Sequence, residues 1–158
     1  MSDFKPLKLK KHAAPAGRRL YLVRCADAAG GKRYADADRP LSEKGLKSLK
    51  KLCKFIRKNA ISPDLIVCSP VRRGRETLQG VLSVLNNAEI VFLDALYTGD
   101  GDEIRGFIND LPPEKRTVMV IGHTPSLKIL TPAKARPKSK KPAKGKVVRA
   151  DVPPPRTV

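Results

Sequence analysis

The chain has 158 residues, of which 33 are Lys or Arg and 15 are Asp or Glu, so its formal net charge is +18. This length allows one ordinary domain, and a hydrophobic content of 41% excludes a wholly disordered chain. No apolar run is long enough to span a membrane, and the three cysteines lack the paired spacing of a disulfide framework or a zinc site. The N-terminal region lacks the apolar stretch of a signal peptide, so a cytoplasmic location is expected.

Short apolar runs rich in strand-forming residues alternate with amphipathic segments along the middle of the chain. Strands are predicted at 19–23, 64–68, 90–93 and 117–121. Helices are predicted after a Ser42 cap, from near Pro70, over 102–111, and from Pro125 to a stop at Pro132. Strands that are apolar throughout and alternate with helices predict an α/β fold. We expect a three-layer sandwich with a mostly parallel central sheet and helices on both faces.

The positive charge is concentrated in the two flanks. Residues 1–19 contain six Lys or Arg and one acid, residues 128–158 contain ten and one, and residues 20–127 contain 17 and 13. The predicted organisation is a basic arm at 1–18, a domain at 19–130, a Lys/Pro/Ala-rich linker at 131–145, and a candidate closing strand with a tail at 146–158. Two roles of the basic termini are considered: keeping the protein soluble, and making a weak contact with nucleic acid or another polyanion. The first is favoured, because no stacking motif accompanies the lysines.

Arginine, cysteine and histidine side chains follow three of the predicted strands. Arg24 and Cys25 follow the first strand, Arg73 lies shortly after the second, and His123 follows the fourth. In sheets of this kind, ligands bind beyond the carboxyl ends of the strands. Guanidinium groups bind phosphate oxygens in a bidentate geometry. The sequence therefore predicts a phosphate site at this edge of the sheet.

Four stretches of the chain, in this order, resemble the histidine phosphatase superfamily, the phosphoglycerate-mutase-like fold, and within it the small SixA-type phosphohistidine phosphatases. The resemblance covers about residues 19–130. It is carried by Leu22-Val23-Arg24-Cys25-Ala26-Asp27-Ala28, Arg39-Pro40-Leu41-Ser42-Glu43-Lys44-Gly45, Ser69-Pro70-Val71-Arg72-Arg73-Gly74-Arg75-Glu76-Thr77 and Val120-Ile121-Gly122-His123-Thr124-Pro125.

The resemblance implies a phosphatase mechanism and a set of site residues. A histidine directly after the first-strand arginine attacks phosphorus, two arginines and a second histidine bind the phosphoryl group, and water then releases it. Carried over to this chain, Arg24 and Arg73 are the phosphate-binding arginines, and His123 is the second histidine. Cys25 stands where the nucleophilic histidine is expected. The resemblance also implies no metal or organic cofactor, and a substrate that is phosphohistidine on a protein or a small phosphoester.

Cys25 leaves two functions open. A thiolate can attack phosphorus, and flanking arginines would lower its pKa. The thiol is shorter than imidazole, however, and a misplacement of about 1 Å can cost on the order of a hundredfold in rate. The cysteine phosphatases place an arginine six residues after the cysteine, whereas this chain has Gly31 there. The chain is therefore predicted to be an impaired or altered phosphatase, or an inactive phosphate- or polyanion-binding pseudoenzyme with nucleic-acid-binding basic arms.

Overall fold

The computed structural model describes residues 18–131 and the backbone of residues 147–152. The strands are β1 (Arg18–Arg24), β2 (Leu65–Cys68), β3 (Glu89–Phe92), β4 (Thr117–Gly122) and β5 (Val147–Val152). The helices are α1 (Glu43–Lys58), α2 (Arg72–Leu82), α3 (Ala95–Thr98), α4 (Gly101–Asn109) and α5 (Thr124–Leu130), with a 3₁₀ turn at Asp36–Asp38. Apart from Arg18 and Thr131, the predicted basic arm and linker lie outside the described residues, as does the tail beyond residue 152.

The described strands form one sheet in the order β3-β2-β4-β1-β5. The first four are parallel to one another, and β5 pairs with β1 in the antiparallel sense. The predicted, mostly parallel sheet is therefore confirmed. In this order β4 lies between β1 and β2, so the carboxyl ends of these three strands meet at one edge.

Alternate residues of the strands face two separate hydrophobic cores. One core joins the sheet to α1 and α2 through Leu49, Leu52, Ile56, Leu78 and Val81. The other joins it to α3, α4 and α5 through Leu96, Ile104, Ile108, Leu127 and Leu130. Helices thus cover both faces, and the predicted three-layer sandwich is confirmed. None of the described helices is long and apolar enough to cross a membrane.

Two helices depart from the sequence-based expectation. A helix was predicted to start near Pro70, but α2 begins at Arg72 after an extended Val71 with φ −67° and ψ 159°. The sequence analysis did not predict α3, because its four residues are too few to show a helical period. This short helix matters because it carries Tyr97 toward the residues that follow β1 and β4.

Arg18 belongs to β1 and lies one residue before the predicted domain boundary. Its buried guanidinium donates hydrogen bonds to four carbonyl oxygens, those of Lys115 (2.6 Å), Ile108 (2.9 Å), Leu111 (3.0 Å) and Pro112 (2.9 Å). A cation at this place adds charge-assisted hydrogen bonds to carbonyl groups at the end of α4 and in the loop that follows it. The first residue of β1 is therefore fixed by contacts that are distant in sequence.

Candidate functional site

A cavity of about 170 Å³ lies at the carboxyl ends of β1, β2 and β4. Its lining includes Arg24, Cys25, Arg73 and His123, the four residues that the sequence analysis named. Arg24 ends β1 and lies opposite Gly122 of β4, which brings it beside His123. The predicted convergence of these side chains at one edge of the sheet is thus present in the structure.

The main chain around Cys25 is held by β4 and α2. The Cys25 N–H donates to the Gly122 carbonyl at 2.8 Å. The next N–H, of Ala26, donates to the Thr77 hydroxyl oxygen at 3.1 Å, and that hydroxyl donates to the Arg73 carbonyl at 2.7 Å. Because Thr77 is fully buried, this chain of hydrogen bonds fixes the position of Cys25 relative to Arg73.

The Cys25 thiol is a neutral group in this environment. Burial raises its pKa to about 11, and the nearby Arg73 and Arg24 guanidinium groups and the Cys25 backbone N–H only partly oppose that rise. At pH 7 a thiol with this pKa is ionised in on the order of one molecule in ten thousand. Burial also raises the pKa of Cys68, the other buried cysteine in this core. The thiolate, which is the nucleophilic form, is therefore scarce.

Arg24 and Arg73 differ in their surroundings. Within the described residues, the Arg24 guanidinium makes no hydrogen bond or ion pair, so its donors are available to a ligand. Arg73 donates to the Asp36 carbonyl at 2.9 Å and to the Asp36 carboxylate at 3.3 Å. An anion bound in the cavity would therefore share Arg73 with Asp36.

The Asp36 carboxylate lies at the centre of a polar cluster that the sequence analysis missed. Its Oδ2 accepts a hydrogen bond from the Tyr97 hydroxyl at 2.8 Å, and its Oδ1 lies 3.4 Å from a terminal nitrogen of Arg39. The Tyr97 hydrogen bond is the main cause that lowers the pKa of Asp36, and Arg73 adds to this effect. Asp36 is thus an anion under ordinary conditions, and it neutralises part of the charge of the arginines.

Arg39 is a third arginine in the cavity lining. It lies in one of the stretches that carry the family resemblance, but the sequence analysis gave it no role. Its Nε donates to the Ala29 carbonyl at 2.7 Å, and a terminal nitrogen lies 3.4 Å from the Ala28 carbonyl. These bonds hold the segment that follows Cys25 and keep a third positive charge at the cavity.

His123 follows β4 and lies at the N-terminus of α5. Burial lowers the pKa of its imidazole, Arg73 lowers it further, and a hydrogen bond with the Leu96 backbone opposes the change. The ring lies near that of Tyr97, with centroids 6.5 Å apart and planes tilted by 56°. Near pH 7 the imidazole is therefore neutral, and a bound anion would favour its protonation.

Comparison with known proteins decides the family. The model of the histidine phosphatase superfamily, branch 1, matches residues 20–107. The chain belongs to the histidine phosphatase superfamily. It is 30% identical to the solved structure of a protein assigned as the phosphohistidine phosphatase SixA of Agrobacterium tumefaciens, over 72% of this chain and 73% of that chain, with a TM-score of 0.65. A SixA protein histidine phosphatase solved with tungstate shares the fold, at 24% identity over 84% of this chain and 86% of that chain, with a TM-score of 0.68.

An uncharacterised protein of Mycobacterium tuberculosis is 28% identical over 110 residues, which is 68% of this chain. The chain spans 66% of the length of that relative. The match to the family model and the two SixA structures confirm the SixA-like fold that the sequence resemblance implied. The roles of Cys25, Arg24, Arg73 and His123 within this histidine phosphatase fold stay predictions.

The described residues offer no obvious metal site. Among them, no group of three or more His, Cys, Asp or Glu side chains is arranged to hold a metal ion. The charged groups that line the cavity are instead mostly cationic, with Arg24, Arg39 and Arg73 against the one acid Asp27, and the titratable His123 also lines the cavity. This arrangement suits a multiply charged anion such as a phosphoryl group.

Proposed function

We propose that this chain is a phosphohistidine phosphatase-like protein that binds a phosphoryl group in the cavity at the end of β1, with hydrolysis impaired by Cys25. The proposed ligand is phosphohistidine on a protein, or a small phosphoester. The observation that carries the proposal is that three arginines and a histidine line the same cavity as a neutral, buried thiol. The arginines of the cavity supply the positive charge for binding a phosphoryl group, but the Cys25 thiol is protonated and so is not in the nucleophilic thiolate form.

The proposed binding roles follow from the contacts of each cation. The Arg24 guanidinium has donors available for the phosphoryl oxygens. The Arg73 guanidinium is held in place by its hydrogen bond to the Asp36 carbonyl and contributes positive charge to the cavity. His123 would donate a hydrogen bond to a further oxygen once the anion has raised its pKa. Such charge-assisted hydrogen bonds are about twice as strong as neutral ones.

A thiol-based phosphatase is the second candidate, and the effect of the arginines on Cys25 favours it. Both Arg73 and Arg24 lower the pKa of the thiol, although burial outweighs them. In this route the Cys25 thiolate forms a bond to phosphorus while the bond from phosphorus to the leaving nitrogen or oxygen breaks. Water then attacks the phosphocysteine, which releases phosphate and returns the thiolate.

Phosphate release by three forms of the protein separates the two candidates. The wild type, Cys25→His and Cys25→Ser are incubated with a phosphohistidine peptide and with p-nitrophenyl phosphate, and binding of sulfate is measured in parallel. A silent wild type with an active Cys25→His supports the impaired phosphatase. An active wild type with a dead Cys25→Ser and a phosphoryl adduct on Cys25 supports the thiol route.

The binding measurement tests the pocket separately from the chemistry. Arg24→Gln is expected to weaken sulfate binding at least tenfold, because it removes a charge-assisted contact worth roughly 1.5–3 kcal/mol. Cys53→Ser is the matched control for Cys25→Ser, since Cys53 is a half-buried cysteine of α1 outside the cavity lining. If the wild type binds neither sulfate nor phosphate, the proposed function is wrong.

All three cysteines are free thiols, which fits the cytoplasmic location that we also propose.

A further inference from the structure

The positive charge of residues 18–131 is concentrated in one helix. Residues 18–131 contain twenty Lys or Arg and thirteen Asp or Glu, a net charge of +7. Helix α1 (Glu43–Lys58) contributes seven of these cations and one of the acids, a net charge of +6. The rest of residues 18–131 is therefore nearly neutral, at +1. This imbalance is separate from the charge of the two chain flanks.

The cations of α1 form a continuous face. Lys44, Lys47, Lys51, Lys54 and Lys58 follow one another at intervals of three and four residues, which places them on one stripe of the helix. We call these five residues the basic face. All five are exposed, and the face extends for about 20 Å at 1.5 Å per residue.

The basic face points away from the protein core. Leu49, Leu52 and Ile56 of the same helix are buried against the sheet, and at 100° per residue they lie on the opposite side of the helix. Lys50 and Arg57 extend the basic face along one margin and are also exposed. The packing of α1 thus fixes a rigid line of cations in solvent.

The lysines of the basic face are not used within the fold. No ion pair among the described residues includes any of them. By contrast, Arg72, Arg73, Arg105 and Lys115 each pair with a carboxylate. The charge of α1 therefore stays uncompensated, and the repulsion between its neighbouring lysines lowers the helix stability.

We propose that the basic face binds the phosphodiester backbone of nucleic acid. A line of lysines with a single acid, Glu43, at its N-terminal end complements a regular row of phosphates, and each contact releases counterions. Lysine is depleted in protein–protein interfaces, which argues against an acidic protein as the partner. The apolar stripe of α1 is packed in the core, and its two exposed apolar side chains, Leu46 and Phe55, lie on opposite sides of the helix at 100° per residue. The helix therefore has no continuous apolar face to insert into a lipid surface.

The salt dependence of binding tests the proposal on the full chain. The association constants for a 20-base-pair DNA duplex and for an RNA duplex of the same sequence are measured between about 50 and 200 mM KCl. The test variant combines Lys47→Gln, Lys51→Gln and Lys54→Gln. For DNA, loss of three phosphate contacts makes the negative slope of log K against log salt shallower by about 2.7 and weakens binding at 100 mM by at least roughly tenfold. The duplex that binds more tightly identifies the type of nucleic acid.

The control variant removes the same charge from the other side of the molecule. It combines Arg105→Gln, Arg116→Gln and Lys128→Gln, of which Arg105 and Lys128 lie on α4 and α5, across the sheet from α1. We expect this variant to bind like the wild type. All six substituted side chains are exposed, so the control variant is expected to unfold at the temperature of the wild type. The α1 variant is expected to unfold at the same or a slightly higher temperature, because repulsion between lysines is relieved.

Four outcomes would overturn the proposal. They are no duplex binding by the wild type, binding that does not weaken with salt, an unchanged slope for the α1 variant, and an equal loss for the control variant. Poly-glutamate and vesicles of phosphatidylcholine with 30% phosphatidylserine are tested as other polyanions. A partner of either kind that binds as tightly as the duplex, and loses as much affinity with the α1 variant, would also show that the assignment to nucleic acid is wrong.

Discussion

Asp36 competes with an incoming anion for the arginines of the cavity. Its carboxylate lies 3.3 Å from Arg73 and 3.4 Å from Arg39, and half of its side chain surface is exposed. The substitution Asp36→Asn removes this negative charge, whereas the Asp36 carbonyl still accepts the hydrogen bond from Arg73. We expect sulfate affinity, measured by titration calorimetry, to rise about fivefold, since one charge near a partly exposed site is worth roughly 1 kcal/mol.

Asp38→Asn is the control for this prediction. Asp38 lies in the same 3₁₀ turn and is exposed, but its carboxylate has no hydrogen bond to a cavity residue. This variant changes the net charge equally and is expected to leave sulfate affinity within about twofold of the wild type. A weaker affinity in Asp36→Asn would mean that the carboxylate positions Arg73 for binding and does not compete with the anion.

His123 makes anion binding depend on pH. Burial lowers its pKa in the free protein, and a bound dianion raises that pKa, so binding takes up a proton. The affinity for sulfate is therefore expected to fall as the pH rises from about 5 to 8. His123→Gln should remove this dependence, whereas His12→Gln, which changes the only other histidine of the chain, should retain it. The same slope in both variants would contradict a role for His123.

The sequence predicted the residues at the strand ends but not the polar cluster around Asp36. Arg24, Cys25 and His123 directly follow strands whose apolar patterns are clear, so the topology alone brings them together. Asp36 reaches Arg73 across 37 residues and Tyr97 across 61 residues. Such contacts depend on the path of the segment between β1 and α1 and on the unpredicted α3. No local sequence pattern encodes either one.

At the scale of elements, the start of α1 is fitted closely to the segment that follows Cys25. The Ser42 hydroxyl caps the helix by accepting from the Gly45 N–H at 3.0 Å, and it donates to the Asp27 carboxylate at 2.8 Å. A methyl group on Gly45 would overlap the Asp27 carbonyl oxygen. The predicted cap at Ser42 is thus confirmed, and a glycine is needed where the helix passes the Asp27 backbone.

Replacing each of two helical glycines with alanine tests how much stability depends on the close approach of Gly45 to the Asp27 carbonyl. Gly45→Ala is expected to lower the free energy of unfolding by roughly 1–3 kcal/mol, although alanine favours helix. Gly106→Ala in α4 is the control, because its added methyl group would meet nothing within 4 Å, and it should raise the free energy by up to about 1 kcal/mol. Urea unfolding of both variants provides the measurement. A stabilised Gly45→Ala would show that the Asp27 segment moves aside easily.

For the molecule as a whole, the two edges of the sheet differ in how they are closed. β3 is a four-residue edge strand, and its short length limits pairing with another chain. On the other side, β1 is a seven-residue buried strand. Its outer edge is covered by β5, which pairs with it from Arg18↔Val152 to Val23↔Val147. Without β5, a long apolar strand would become the edge of the sheet.

Removal of β5 should therefore cost stability and promote self-association. We compare the full chain with a chain that ends at Thr131 and with a control that ends at Val152. The shorter chain is expected to unfold at least about 5 °C lower, because the backbone bonds between β5 and β1 are lost, and to form larger species in size-exclusion chromatography. The control should behave like the full chain. Because residues 132–158 also carry much of the positive charge, each comparison is repeated at high salt, where charge repulsion is screened. A monomeric, equally stable chain ending at Thr131 would mean that β5 contributes little and that β1 tolerates an open edge.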